Sequence, residues 1–107
     1  MQLAKNIYAI TQSFPESEKF GLVSQMRRCA VSIASNIAEG CGRGTDKQLV
    51  HFLDVAQGSA YELETQIILS ESIGLISTSD TLTSIIDELN HTQRLLHNFK
   101  KHYQKSL

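Results

Sequence analysis

Apolar residues recur along this chain at steps of three and four. Leu3, Ile7, Ile10 and Phe14 form one stripe, and Val23, Met26, Ala30, Ile33 and Ile37 form the next. Leu49, Phe52, Ala56, Ser59 and Leu63 lead a third that continues through Ile67 and Ile73. Leu82, Ile85, Leu89, Leu96, Phe99 and Tyr103 make the last. A helix brings each set to one face, whereas a strand would need strict alternation. The spacing therefore predicts helices over about residues 2–13, 20–39, 46–73 and 80–104.

The breakers fall between these stretches. Pro15, the only proline, sits in FPESEKFG (14–21) and disfavours a helical Phe14. In GLISTSD (74–80), Gly74 is expected to close the third helix, and Ser77 or Ser79 to cap the fourth. Short connections turn successive helices back on one another, so the expected fold is all-α: one up-down antiparallel four-helix bundle domain over residues 1–107. Small residues in CAVSIASNIA (29–38) and AQGSA (56–60) let helices approach closely. A second line through Leu22, Met26, Cys29, Ile33 and Asn36 makes helix 2 apolar over much of its girdle. That suits a central bundle position or a subunit interface, and self-association is expected.

Composition narrows the function classes. The chain has 107 residues, and its net charge of −1 gives no global attraction to nucleic acid or an anionic membrane. Any such partner must be held by a local patch. Cys29 and Cys41 are too few for a disulfide framework and lack zinc-type spacing. Without a leader pattern or a long apolar run, a cytoplasmic protein with no membrane partner is expected. One E-x-x-H pair, Glu88 with His91, is half of what a di-iron bundle needs, so no metal or other cofactor is expected.

The most suggestive stretch is SNIAEGCGRG (35–44). Its GxGxG spacing after a helix does not match a phosphate-binding fingerprint. Gly40 is expected to end helix 2 in a left-handed conformation. Thr45 with Gln48 has the form of a capping box for helix 3, and Asp46 complements that helix's positive end. Glu39, in the last turn of helix 2, needs a cation: Arg28, Arg43 or a residue of another subunit. Arg43 and Lys47 beside a helix N-terminus form a candidate phosphate seat, whose removal should flatten the salt dependence of RNA binding. Asn36 is expected to be half-buried, either bonded within the corner or setting register between subunits. Cys29 reads as packing and Cys41 as an inert thiol, because no base is placed beside either; no catalytic residue, and no enzyme, is expected.

Charge is unevenly placed. Residues 45–93 hold eight acids and one cation, Lys47, whereas residues 94–107 hold Arg94, Lys100, Lys101 and Lys105 and no acid. In an up-down bundle helix 2 ends, helix 3 starts and helix 4 ends at one pole. Arg43, Lys47 and the terminal lysines would gather there, ready to hold nucleic-acid phosphates, with His97 and His102 adding charge at lower pH.

IYAITQSFPESEKFGLVSQMRRCAVSIASNIAEGCGRG, followed by FLDVAQGSAYELETQIILS, resembles the bacterial 23S rRNA intervening-sequence proteins. The likeness runs from about Leu3 to Gly74 and rests on FP-x-x-E-x-FGL, QMRR, SNIAEG-x-GR and GS-x-x-ELE-x-Q. Relatives include the accessory variability protein of diversity-generating retroelements. The resemblance implies a four-helix bundle, commonly assembled as a ring-like homopentamer, in a family with no established enzymatic activity. For the retroelement relatives it implies binding to nucleic acid, RNA or DNA, and to a reverse transcriptase through basic surfaces. Arg27, Arg28 and Arg43 occupy the family's motif positions by this carry-over. The expected departure is a first helix shorter than the family's and lacking its tryptophan, which would weaken the core or reflect a start upstream of Met1.

Overall fold

The computed structural model describes residues 2–105 and 107. The described residues form four α-helices and no strand: α1 (Gln2–Thr11), α2 (Ser24–Cys41), α3 (Asp46–Ser72) and α4 (Asp80–Gln104). The molecule is a compact rod measuring 46 × 24 × 19 Å. Its length is that of α3, whose 27 residues span about 40 Å at about 1.5 Å per residue. The 10 residues of α1 reach only about 15 Å, less than half as far.

Contacts between α2 and α3 run in reverse chain order. Gly40 lies against Leu49 and Phe52, Ser32 Oγ is 2.8 Å from Ser59 Oγ, and the Ser70 hydroxyl points at Met26 Sδ. α3 and α4 do the same, through Lys100 with Asp54 and Gln93 with the Ala60 carbonyl. α1 is tied to α2 by Arg27, whose Nε donates to Thr11 Oγ1 at 2.9 Å, and to α4 by Asn6 and Glu88 at 3.4 Å. Ile7, Met26, Leu53, Leu63, Ile67, Ile85 and Leu89 are fully buried between the helices.

Most of the predicted stripes are inside, with informative exceptions. Leu53 and Ala60 are completely buried although they fall outside the expected third stripe, because α3 packs against both α2 and α4 and so buries two lines of residues. Ile73 is 56% exposed, since α3 has already ended at Ser72, and Ile76 from the following loop is buried instead. Phe99 is 38% exposed near the end of α4, beyond the reach of α1.

Local chemistry sets the ends. Pro15 stops α1 early; a short 3₁₀ turn (Glu16–Glu18) and a π-turn (Lys19–Val23) follow, and regular α-helix begins only at Ser24. Gly21 is the kink, with φ −100° and ψ −110°. Gly74 does close α3: at φ 84° its N–H bonds to the Glu71 carbonyl while Leu75 N–H reaches Ser70, the paired bonds of a Schellman motif. Ser79, not Ser77, caps α4 by accepting from Leu82 N–H at 3.1 Å. Thr45 Oγ1 accepts from Gln48 N–H at 3.2 Å and caps α3, with Asp46 in the first turn.

Gly40 departs from expectation. It is not left-handed and does not end α2, which runs on to Cys41. A Cβ built on Gly40 would stand 2.9 Å from Phe52 Cβ and 3.1 Å from Leu49 Cδ1. Glycine is needed there so that α2 and α3 can come together just before the corner.

Candidate nucleic-acid interface

The corner between α2 and α3 gathers the residues singled out in SNIAEGCGRG. Glu39 finds its cation one turn on, in Arg43, whose guanidinium makes an ion pair with Glu39 Oε1. The same guanidinium lies over the Phe52 ring, 5.2 Å from its centroid. Arg28 is too far down α2 to serve Glu39 and bonds to Ser24 instead. Arg43, Lys47, Gln48, His51 and Phe52 line one open groove of about 620 Å³. Asn36 is half-buried and satisfied within its own helix, its Nδ2 donating to the Ser32 carbonyl at 2.8 Å and to Ser32 Oγ at 3.0 Å.

The end of α4 lies against the start of α3, which brings the terminal lysines to this corner. Lys100, however, faces inward. Its Nζ is 2.8 Å from both Asp54 Oδ1 and Gln57 Oε1, and its side chain is only 19% exposed. Its charge is used to neutralise Asp54 and to satisfy the buried Gln57. Lys47, Lys101 and Lys105 are exposed and have no ion pair among the described residues. The pole thus holds five cations (Arg43, Lys47, Lys100, Lys101, Lys105) against three acidic side chains, Glu39, Asp46 and Asp54.

The other candidates lie elsewhere. Arg94 lines a separate polar groove of about 370 Å³ with Tyr61, Asn90, Gln93, His97 and Asn98. Arg27 and Arg28 are 15 or more residues back from Arg43, about 23 Å along the helix axis. Arg27 is committed to α1: besides Thr11 it donates to the Tyr8 carbonyl at 3.3 Å and packs 4.6 Å from the Tyr8 ring centroid. The sequence-predicted cations therefore do not form one surface. What sequence reasoning missed are the partners that quench them: Phe52, Asp54, Gln57, Tyr8 and Thr11. Asp54 and Lys100 are 46 residues apart, and only the pairing of α3 with α4 reveals them to each other.

The thiols differ. Burial, with the Glu62 carboxylate adding to it, pushes the Cys29 thiol up to about 11, so it stays protonated. Cys41 is exposed at the corner. Among the described residues no three His, Cys, Asp or Glu side chains cluster to hold a metal, and no helix is long and apolar enough to cross a membrane.

Four helices on a single apolar core, with a cationic corner at one end, define a small helical-bundle protein. The family model for the 23S rRNA-intervening sequence protein matches residues 1–98, and the chain belongs to that family. The match takes in Arg27, Arg28, Arg43, Lys47 and Arg94 and stops short of Lys100, Lys101 and Lys105. No curated protein matches the chain.

Proposed function

We propose that this protein is a non-enzymatic, self-associating up-down bundle that binds RNA or another nucleic acid through the pole formed by the α2–α3 corner and the end of α4. The observation that supports this best is the set of exposed cations there that have no ion pair among the described residues, Lys47, Lys101 and Lys105, beside the Arg43 groove. Each protomer's surplus is small, so affinity depends on repetition around the oligomer, where several weak contacts act at high effective concentration. The pentamer and the reverse-transcriptase partner implied by the resemblance belong to this proposal. The test is binding to structured RNA across salt. Replacing Lys47, Lys101 and Lys105 by alanine should reduce the slope of log K against log salt by about 2–3 for each protomer that contacts the RNA. An unchanged slope would remove the pole from consideration.

A second reading is a structural or protein-interaction oligomer without nucleic acid. It is supported by Arg27, Arg43 and Lys100 each being held by partners within the chain. Under it, no RNA binding is measured even at low salt.

A further inference from the structure

Phe20 is the most exposed large apolar side chain described, at 87%. It stands on the π-turn ahead of α2, with Lys19 Nζ 5.7 Å from its ring centroid. Around it on the α1–α2 face lie Tyr8, Arg27, Arg28 and Val31. Apart from the Lys19 ammonium, the described residues leave the ring open to solvent. Across the molecule, on the α3–α4 face, Ile67, Ile68, Ile86 and Leu89 line an apolar hollow of about 170 Å³, with Glu64 as its only polar wall. That hollow has room for one large side chain, and Ile68 at its edge is 56% exposed. Phe20 is not among the residues that line the hollow, so within one molecule the ring does not fill it.

We propose that Phe20 of one copy enters the Ile67–Ile68–Ile86–Leu89 hollow of the next copy, with Lys19 facing Glu64. This rests on the self-association reading above and names the surfaces that carry it. Three features select a second copy as the occupant. The hollow is apolar and sized for a ring. The stretch containing it, residues 45–93, holds eight acids to one cation, whereas the Phe20 face presents Lys19 and Arg28. The acids flanking Phe20, Glu16 and Glu18, repel phosphate, which disfavours a nucleic-acid strand stacking on the ring. Glu16 partly offsets Lys19, at 3.8 Å between exposed groups, a contact of little strength. The two surfaces differ, so the contact is heterologous and propagates head to tail, closing into a ring or running on as a filament.

The experiment is sedimentation velocity over a micromolar concentration range, on the wild type, Phe20→Ser and Ile68→Lys, with thermal unfolding alongside. Both sites are exposed, so the fold should be kept. Loss of the buried ring should weaken self-association about 10- to 100-fold. Lys19→Glu and Glu64→Lys should each weaken it, and the double variant should recover it. A photo-reactive residue at position 20 should cross-link to peptides covering 64–68 or 86–89 of another copy. An oligomeric wild type whose size is unchanged by Phe20→Ser overturns this contact and leaves self-association standing. A monomeric wild type overturns both. Loss of RNA binding in Phe20→Ser with oligomer size unchanged assigns the ring to nucleic acid and overturns the proposal.

Discussion

Adding one methyl group at Gly40 tests how closely α2 and α3 approach. In Gly40→Ala the new Cβ meets Phe52 Cβ at 2.9 Å and Leu49 Cδ1 at 3.1 Å unless the helices separate. Leu49 can shift a methyl. Phe52 cannot move its Cβ without moving α3, so the overpacking cost falls in the upper part of the usual range, about 2–3 kcal/mol. Alanine returns about 1 kcal/mol of helix propensity, which leaves a net loss of about 1–2 kcal/mol. Gly58 is the control: it also lies inside a helix, and a Cβ there meets nothing within 4 Å. Gly58→Ala should therefore gain about 1 kcal/mol. The two variants should differ by about 2–3 kcal/mol in urea unfolding followed by far-UV circular dichroism, and by on the order of 10 °C in Tm. Shortening Phe52 to alanine should not rescue Gly40→Ala, because the offending Cβ remains. If Gly40→Ala is stabilised as much as Gly58→Ala, the close-approach argument is wrong.

Three further outcomes follow from the same contacts. The Cys29 thiol is raised to about 11 in the folded protein, so its contribution is complete below the unfolded value near 9.0 and lost as pH climbs towards 11. Stability should fall by about 2 kcal/mol over that window, and Cys29→Ala should remove that part of the pH dependence in urea titrations. Lys100→Met strands the buried Gln57 Oε1 and unpairs Asp54, and should cost about 1–2 kcal/mol by the same assay. Arg27→Met should cost about 1–2 kcal/mol by loosening α1, yet leave the salt slope of RNA binding unchanged, because that guanidinium is spent on Thr11 and Tyr8.

The helices were legible because their apolar spacing is regular and their ends carry recognisable chemistry at Thr45, Gly74 and Ser79. Three kinds of information were not. The role of Gly40 depends on what faces it from α3, and a glycine near a helix end looks the same whether it terminates the helix or admits a neighbour. Helix direction alone predicts that cations gather at one pole, but not how many of them are neutralised there. Sequence counts charges one by one, whereas Asp54 and Glu39 cancel two of them across a helix pair and along a single turn. Phe20 carried a signal, an aromatic ring between a lysine and a glycine in a proline-opened turn, but it gave no indication that the ring stays outside.

The shortness of α1 has a consequence for exchange behaviour. A helix of 10 residues does not hold itself in water, so its amide protons are protected only while Leu3 and Ile7 remain docked. Their exchange therefore reports a local undocking of α1, at lower free energy than the opening of the α2–α3 pair. That undocking also releases Arg27 from Thr11 and Tyr8. Any ligand that draws on the Arg27 guanidinium competes with the first helix for it, and its binding is read out as faster deuterium uptake in residues 2–11.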